Sequence, residues 1–321
     1  MIEARAFWLT RKGRGALKAE TLDYPGGDWC VVRAMFSAVS PGTERLVAMD
    51  RVPAALRQEM RCPYMGGRFP FPVKYGYSLV GEVVQGSAEL RGRVVHVLHP
   101  HQDFCVVRAK DVRPLPAGVP PARATLASNL ETAITAAWDA EVMIGERILV
   151  VGFGVVGSLV ARVLALGPAF EVTVAETRPD RRRLAESLGF RVAEGRGEGH
   201  FDLAFDTSGA AAGLRSAVES VGLEGRVVAV SWFGTAPVPL DLGGTFHSRR
   251  KRIIGSQVSR LPGGLGPRWD TARRTELVFR LLERPEFDLH VGPAVSFTEL
   301  PKTYGSLVGR RPQGLSPLII Y

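Results

Sequence analysis

Cysteine, lysine and histidine are all scarce in this chain of 321 residues, and each scarcity excludes something. The three cysteines, Cys30, Cys62 and Cys105, stand far apart and form no C-x-x-C pair. That excludes a disulfide framework and a structural zinc cluster, and it reads as inert packing in a reducing compartment. The opening residues, Met1-Ile2-Glu3-Ala4-Arg5-Ala6-Phe7-Trp8, lack the apolar core of a signal peptide. The apolar stretch 148–170 carries Arg162 as its one charge, yet its glycines recur at loop spacing and argue against a membrane span. A cytoplasmic protein without membrane attachment is expected. Of 41 Lys+Arg residues only six are lysine, and the net charge is +9. An arginine-heavy surface attracts phosphates or nucleic acid, but no nucleic-acid module accompanies it, so the charge reads as compositional bias.

What is present falls into two styles. The first third is β-rich, with β-branched or aromatic runs at 30–36, 79–84, 94–98 and 104–108 between Gly/Pro clusters. Pro114, Pro116, Pro120 and Pro121 mark a change, after which the alanine-rich segment 122–141 predicts a helix. From Arg147 onward strands (148–151, 171–175, 202–206, 226–230, 253–256) alternate with helices (156–166, 179–188). Such alternation predicts an α/β fold with a doubly wound parallel sheet. The run Arg249-Arg250-Lys251-Arg252 reads as a solvated turn before a strand. An amphipathic helix is expected at 270–283, and short strands at 294–297 and 318–321 are expected to rejoin the first domain. The expected domains are 1–121 with 262–321, and 122–261.

The strongest motif is Gly152-Phe153-Gly154-Val155-Val156-Gly157, a G-x-G-x-x-G that follows an apolar strand and opens a helix. This context places backbone N–H groups and the positive helix end against a dinucleotide pyrophosphate. Glu176 ends the next strand at the spacing of a ribose-binding acid and favours NAD(H), with Thr177 beside it. Arg178 and Arg181 follow and could pair with a 2′-phosphate, so NADP(H) stays open. Ser208, Trp232 and Ser256 fall after later strands, and Trp232 is large enough to wall a pocket.

From near residue 1 to Tyr321 the chain resembles the medium-chain dehydrogenase/reductase superfamily. These are alcohol dehydrogenase-like proteins with a GroES-like catalytic domain. The matching segments are Ser37-Ala38-Val39-Ser40-Pro41-Gly42-Thr43-Glu44, Lys74-Tyr75-Gly76-Tyr77-Ser78-Leu79-Val80-Gly81, the glycine fingerprint, and Asp206-Thr207-Ser208-Gly209. The resemblance implies a GroES-like β-rich domain plus a Rossmann domain, assembled as a homodimer, and adds Ser208, Trp232 and Ser256 to the candidate cofactor-binding set. In zinc-dependent members the first segment carries a metal-binding cysteine, where this chain has Ser40. A Gly-His-Glu is replaced by Gly76-Tyr77-Ser78, and a third ligand position by Ser128. Catalytic zinc needs three ligands from Cys, His, Asp or Glu, and neutral hydroxyls replace them poorly. No metal is therefore expected; Glu44, His99 and His101 are the one residual set that could meet around an ion. The segments Ser40–Glu44, Leu98-His99-Pro100-His101-Gln102 and Phe246-His247-Ser248-Arg249-Arg250 are similar to a zinc-less bacterial subgroup akin to bacteriochlorophyllide hydroxyethyl dehydrogenases.

These features predict a zinc-independent NAD(P)-dependent oxidoreductase acting on an alcohol/carbonyl pair. Without a metal, a hydrogen-bonding side chain must stabilise the developing alkoxide. Tyr77 is the first candidate, with Ser40 and Thr43 as a hydroxyl relay, although Ser-Pro-Gly-Thr-Glu also suits a helix start. His99 or His101 could act as general acid, and His247 is a lower-ranked pocket candidate. Two other readings stay open. One is a quinone or enone reductase; the other is a crystallin-like protein that binds dinucleotide and RNA without turnover.

Overall fold

The computed structural model describes residues 1–167, 171–193, 200–309 and 314–321. These form two units, Met1–Ser128 with Thr275–Tyr321, and Asn129–Arg274. The divisions fall later in the chain than the expected 121/122 and 261/262. Arg123 explains the first: its guanidinium reaches Asp288 at 2.7 and 2.8 Å and the carbonyl oxygens of Leu282 and Glu283, tying 121–124 to the first unit. Arg274 explains the second, because it donates to Thr135 Oγ1 and the Val258 carbonyl and pairs with Glu131.

The second unit is the predicted parallel sheet. Its six strands lie in the order Arg191–Val192, Glu171–Ala175, Arg147–Val151, Phe201–Asp206, Val221–Ala229, Arg252–Gly255. Every pairing is parallel. The order reverses direction at Arg147–Val151, which opens a crevice at the C-terminal strand ends. The strands are apolar because helices cover them: Leu149, Val151, Ala204 and Val227 pack with Leu214, Ala217 and Val218 of the helix Ala211–Ser220. The sequence reading had passed over this last helix, whose short side chains weaken its periodic pattern.

The first unit is antiparallel in character. A seven-stranded sheet runs Val291–Ser296, Ser316–Ile320, Trp29–Ala38, Leu79–Gln85, Val94–Val97, Val112–Pro114, with Phe104–Arg108 paired to Trp29–Ala38. The two C-terminal strands join it as expected, through Leu318 opposite Ala38. A second sheet contains the hairpin Ile2–Arg11 and Arg14–Leu22, which the sequence reading did not assign. Its signal was present: Ala4, Ala6, Phe7 and Leu9 face inward, and Gly13 takes the left-handed turn at φ +67°.

Two local expectations change. The alanine-rich helix is split into Pro121–Ala124 and Ala127–Asp139. The basic run is only partly solvated, because Lys251 turns inward and donates to the Val218 carbonyl at 2.7 Å. Asp270 caps the helix Thr271–Leu282 by accepting from Arg273 N–H at 2.7 Å.

Candidate functional site

In the second unit the glycine loop is shaped by close backbone approach. Gly152 has φ +92°, and a Cβ on Gly157 would lie 2.1 Å from the Gly152 carbonyl oxygen. Over Gly154 there is room: a Cβ there would meet only Arg181 Nη1, at 3.5 Å. The helix Val155–Ala165 begins at this point with its unbonded first-turn N–H groups. An anionic pyrophosphate fits that cradle. Val155 is buried, Val156 is half-buried, and the buried Phe153 ring packs edge-on against Phe190, so the loop offers backbone rather than side chains.

Glu176 braces this loop. Its Oε2 accepts from Phe153 N–H at 2.8 Å, and its Oε1 accepts from the N–H groups of Thr177 and Arg178 at 2.7 and 2.9 Å. By lone-pair count one acceptor position is left on Oε2 for a hydroxyl. Arg178 is paired with Asp180 at 2.6 Å, and Arg182 donates to the carbonyl oxygens of Glu176 and Ala193. Arg181 is the cation lying over Gly154. Ser208 donates to Asp206 Oδ1 at 2.7 Å, and burial raises the Asp206 carboxyl above its ordinary range. Trp232 is half-buried on the loop after Val221–Ala229, and the Ser256 hydroxyl bonds to Asp139. His247 is exposed.

In the first unit three hydroxyls converge. Tyr77 OH is hydrogen-bonded to the side chains of Ser40 and Thr43. Ser40 is buried, whereas Tyr77 and Thr43 are half-buried, so the group retains an open side. Burial pushes the Tyr77 phenol up to about 12, against the opposing help of Ser40 and Thr43, and the Glu44 charge adds to the rise. Tyr77 is therefore a neutral hydrogen-bond donor near pH 7, not a resting base. Ser128, the third position, donates to the Tyr77 carbonyl at 2.8 Å. Ser128 thus holds the backbone of Tyr77 and not its hydroxyl.

Behind them lies a buried network that only Glu44 and His101 hinted at in the sequence. Glu44 is fully buried; its Oε1 accepts from Ser40 N–H at 2.8 Å, and its Oε2 accepts from Tyr304 OH at 3.0 Å. His101 Nε2 stands 3.1 Å from the same Oε2, and its Nδ1 stands 2.8 Å from Ser37 Oγ. Ser37 Oγ is 2.8 Å from Tyr321 OH. The sequence Ser37–His101–Glu44 has the order of a hydrolase triad, but Ser37 is fully buried within a strand and no acyl group can reach it. A second knot involves His96, which the sequence reading missed. Its Nε2 lies 3.3 Å from the oxygens of both Ser78 and Ser128. Ser78 and Ser128 commit their protons to the carbonyls of Thr125 and Tyr77, which makes His96 Nε2 the donor.

The histidine expectations are corrected here. His99 is buried, with Nδ1 2.9 Å from the Pro100 carbonyl and 3.2 Å from Cys105 Sγ. Burial drives its pKa down to about 3, so it carries no extra proton to give. His101 is fully buried and bonded at both nitrogens, which removes it from contact with a substrate. Cys62, half-buried, meets the Gly76 amide, and burial pushes its thiol up to about 12.

The donor set does not fit a catalytic zinc. Ser40, Tyr77 and Ser128 offer neutral hydroxyls at the three positions. Among the described residues no group of three or more His, Cys, Asp or Glu side chains could hold a metal. Glu44 and His101 face each other directly rather than a shared ion, and His99 is turned to Pro100 and Cys105.

No family model matches the chain. It is 30% identical over 169 residues to 2-dehydro-3-deoxy-L-galactonate 5-dehydrogenase of Pseudoalteromonas atlantica, covering 49% of each chain. It is also 30% identical over 176 residues to an uncharacterized zinc-type alcohol dehydrogenase-like protein of Escherichia coli, covering 50% of this chain and 49% of the relative. The matches thus span about half the length of these relatives. Among solved structures, acetophenone reductase of Geotrichum candidum in complex with NAD superposes with a TM-score of 0.78 at 16% identity, over 99% of this chain and 97% of that one. The fold is therefore a β-rich GroES-like unit together with a Rossmann unit.

Proposed function

We propose that the protein is an NAD(P)-dependent oxidoreductase that moves hydride between the nicotinamide and an alcohol/carbonyl substrate without a catalytic zinc. The observation that carries this reading is the Tyr77–Ser40–Thr43 hydroxyl cluster, in which Ser40 and Tyr77 stand at two of the positions that the resemblance assigns to zinc ligands. When bound, the nicotinamide supplies the hydride acceptor or donor. Tyr77 OH donates a hydrogen bond to the substrate oxygen and stabilises its developing charge. Ser40 and Thr43 orient the phenol and share its proton. Glu176, braced at the glycine loop, accepts a ribose hydroxyl and favours NAD over NADP. The sugar-acid dehydrogenase among the relatives supports a hydroxylated substrate. The resemblance extends the proposal to a cytoplasmic homodimer.

The test is turnover of an alcohol and carbonyl panel with NADH and NADPH, before and after chelation, with zinc measured on the same sample. Unchanged turnover after chelation is expected. Stoichiometric zinc whose removal abolishes activity would overturn the metal-free part. A second reading, reduction of activated C=C bonds, needs no alkoxide stabiliser, and turnover that survives Tyr77→Phe would favour it.

A further inference from the structure

We infer that His101 is a positioning residue that clamps the hydroxyl cluster from both sides, an inference that rests on the functional reading above. The network is consistent with a chain of donors that runs from Tyr321 through Ser37 and His101 to Glu44. Glu44 Oε2 can only accept, so His101 Nε2 carries the hydrogen and donates to it at 3.1 Å. His101 Nδ1 is then the acceptor, and Ser37 OH donates to it at 2.8 Å. Tyr321 OH donates to Ser37 Oγ and in turn accepts from the Gln102 amide. Glu44 also accepts from Ser40 N–H and Tyr304 OH.

His101 touches both shoulders of the cluster. On one side it holds Glu44, whose other oxygen grips the backbone of Ser40. On the other side its ring lies against Gly76, the residue before Tyr77. A Cβ on Gly76 would come within 3.1 Å of His101 Nε2, and Gly76 has φ +134°. The ring itself is fixed by its backbone, since the His101 carbonyl accepts from Phe7 N–H at 2.9 Å and Ala6 bridges to Gln102. One rigid imidazole thus sets the separation between Ser40 and Tyr77 while touching no substrate. A displacement of about 1 Å at such a cluster is enough to cost on the order of 100-fold in rate.

The test is a double-mutant cycle of His101→Phe with Tyr77→Phe, read in kcat, KM and thermal midpoint. The clamp predicts that H101F lowers kcat by at least about tenfold with little change in KM. In the Y77F background the same change has a much smaller effect, because there is no hydroxyl left to position. His101→Gln, which can still donate to Glu44, recovers part of the loss. Additive effects, or an unchanged kcat in H101F, overturn the proposal. If H101F does not fold, Ser37→Ala removes the Nδ1 partner and enters the same cycle. The thermal-midpoint coupling decides the clamp even in a protein with no turnover, whereas absent turnover in the wild type counts against the functional reading alone.

Discussion

The glycine loop and the hydroxyl cluster build their sites by opposite means. The loop works through backbone: Gly152, Gly154 and Gly157 lie within six residues, and their missing side chains create the space. The cluster works through side chains brought from Ser40, Thr43 and Tyr77, supported by Ser128, Glu44, His101 and Tyr304. A backbone site tolerates changes of side chain around it but not added bulk. A side-chain site tolerates bulk at its edge but not the loss of a single polar atom.

The largest test of that contrast is Gly157→Val. Its Cβ would meet the Gly152 carbonyl oxygen at 2.1 Å, a backbone contact that cannot give way. Loss of detectable NADH binding is expected in a fluorescence titration, with ~1–3 kcal/mol of lost stability. Unaltered NADH affinity would break the backbone half of the comparison.

Tyr77→Phe comes next, removing one oxygen and leaving the fold intact. A fall in kcat on the order of 10²–10³ is expected for carbonyl reduction, with NADH affinity unchanged. A change of less than a few-fold would remove Tyr77 from the chemistry and favour reduction of activated C=C bonds.

The smallest effect concerns acid. His96 and His99 are both driven down to about 3 by burial in the first unit. Unfolded, they titrate near about 6.5, so between these values the unfolded chain binds more protons than the folded one. The stability they support is present above about pH 6.5 and declines as pH falls toward about 3. Hydrogen exchange should show the first unit loosening in that window before the second. His96→Phe should flatten the decline, and an unchanged acid profile would refute the assignment of these rings as buried and neutral.

The difference also explains what was legible in the sequence. The strands 148–151, 171–175 and 104–108 and the fingerprint were readable because strand, turn and helix are local and their apolar runs are continuous. Glu176 was readable from spacing, though not its role as a brace for Phe153 N–H. Ser40, Tyr77 and Ser128 could be named from a resemblance, but nothing in their neighbours indicated that Tyr77 would meet Ser40 and Thr43. His99 and His101 flank one proline and looked equivalent; burial gave one to Cys105 and the other to Glu44. His96, Ser37, Tyr304 and Tyr321 carried no local signal.

The sequence by itself determined the parallel sheet and the glycine loop. Those depend on residue type, short-range periodicity and backbone sterics, all of which are written along the chain. Only the tertiary structure decided which hydroxyls share a hydrogen bond, which imidazoles are neutral, and that Glu44 is held by Ser40, His101 and Tyr304 together. Those depend on burial and on partners up to 284 residues away, and burial is a property of the packed chain rather than of any segment.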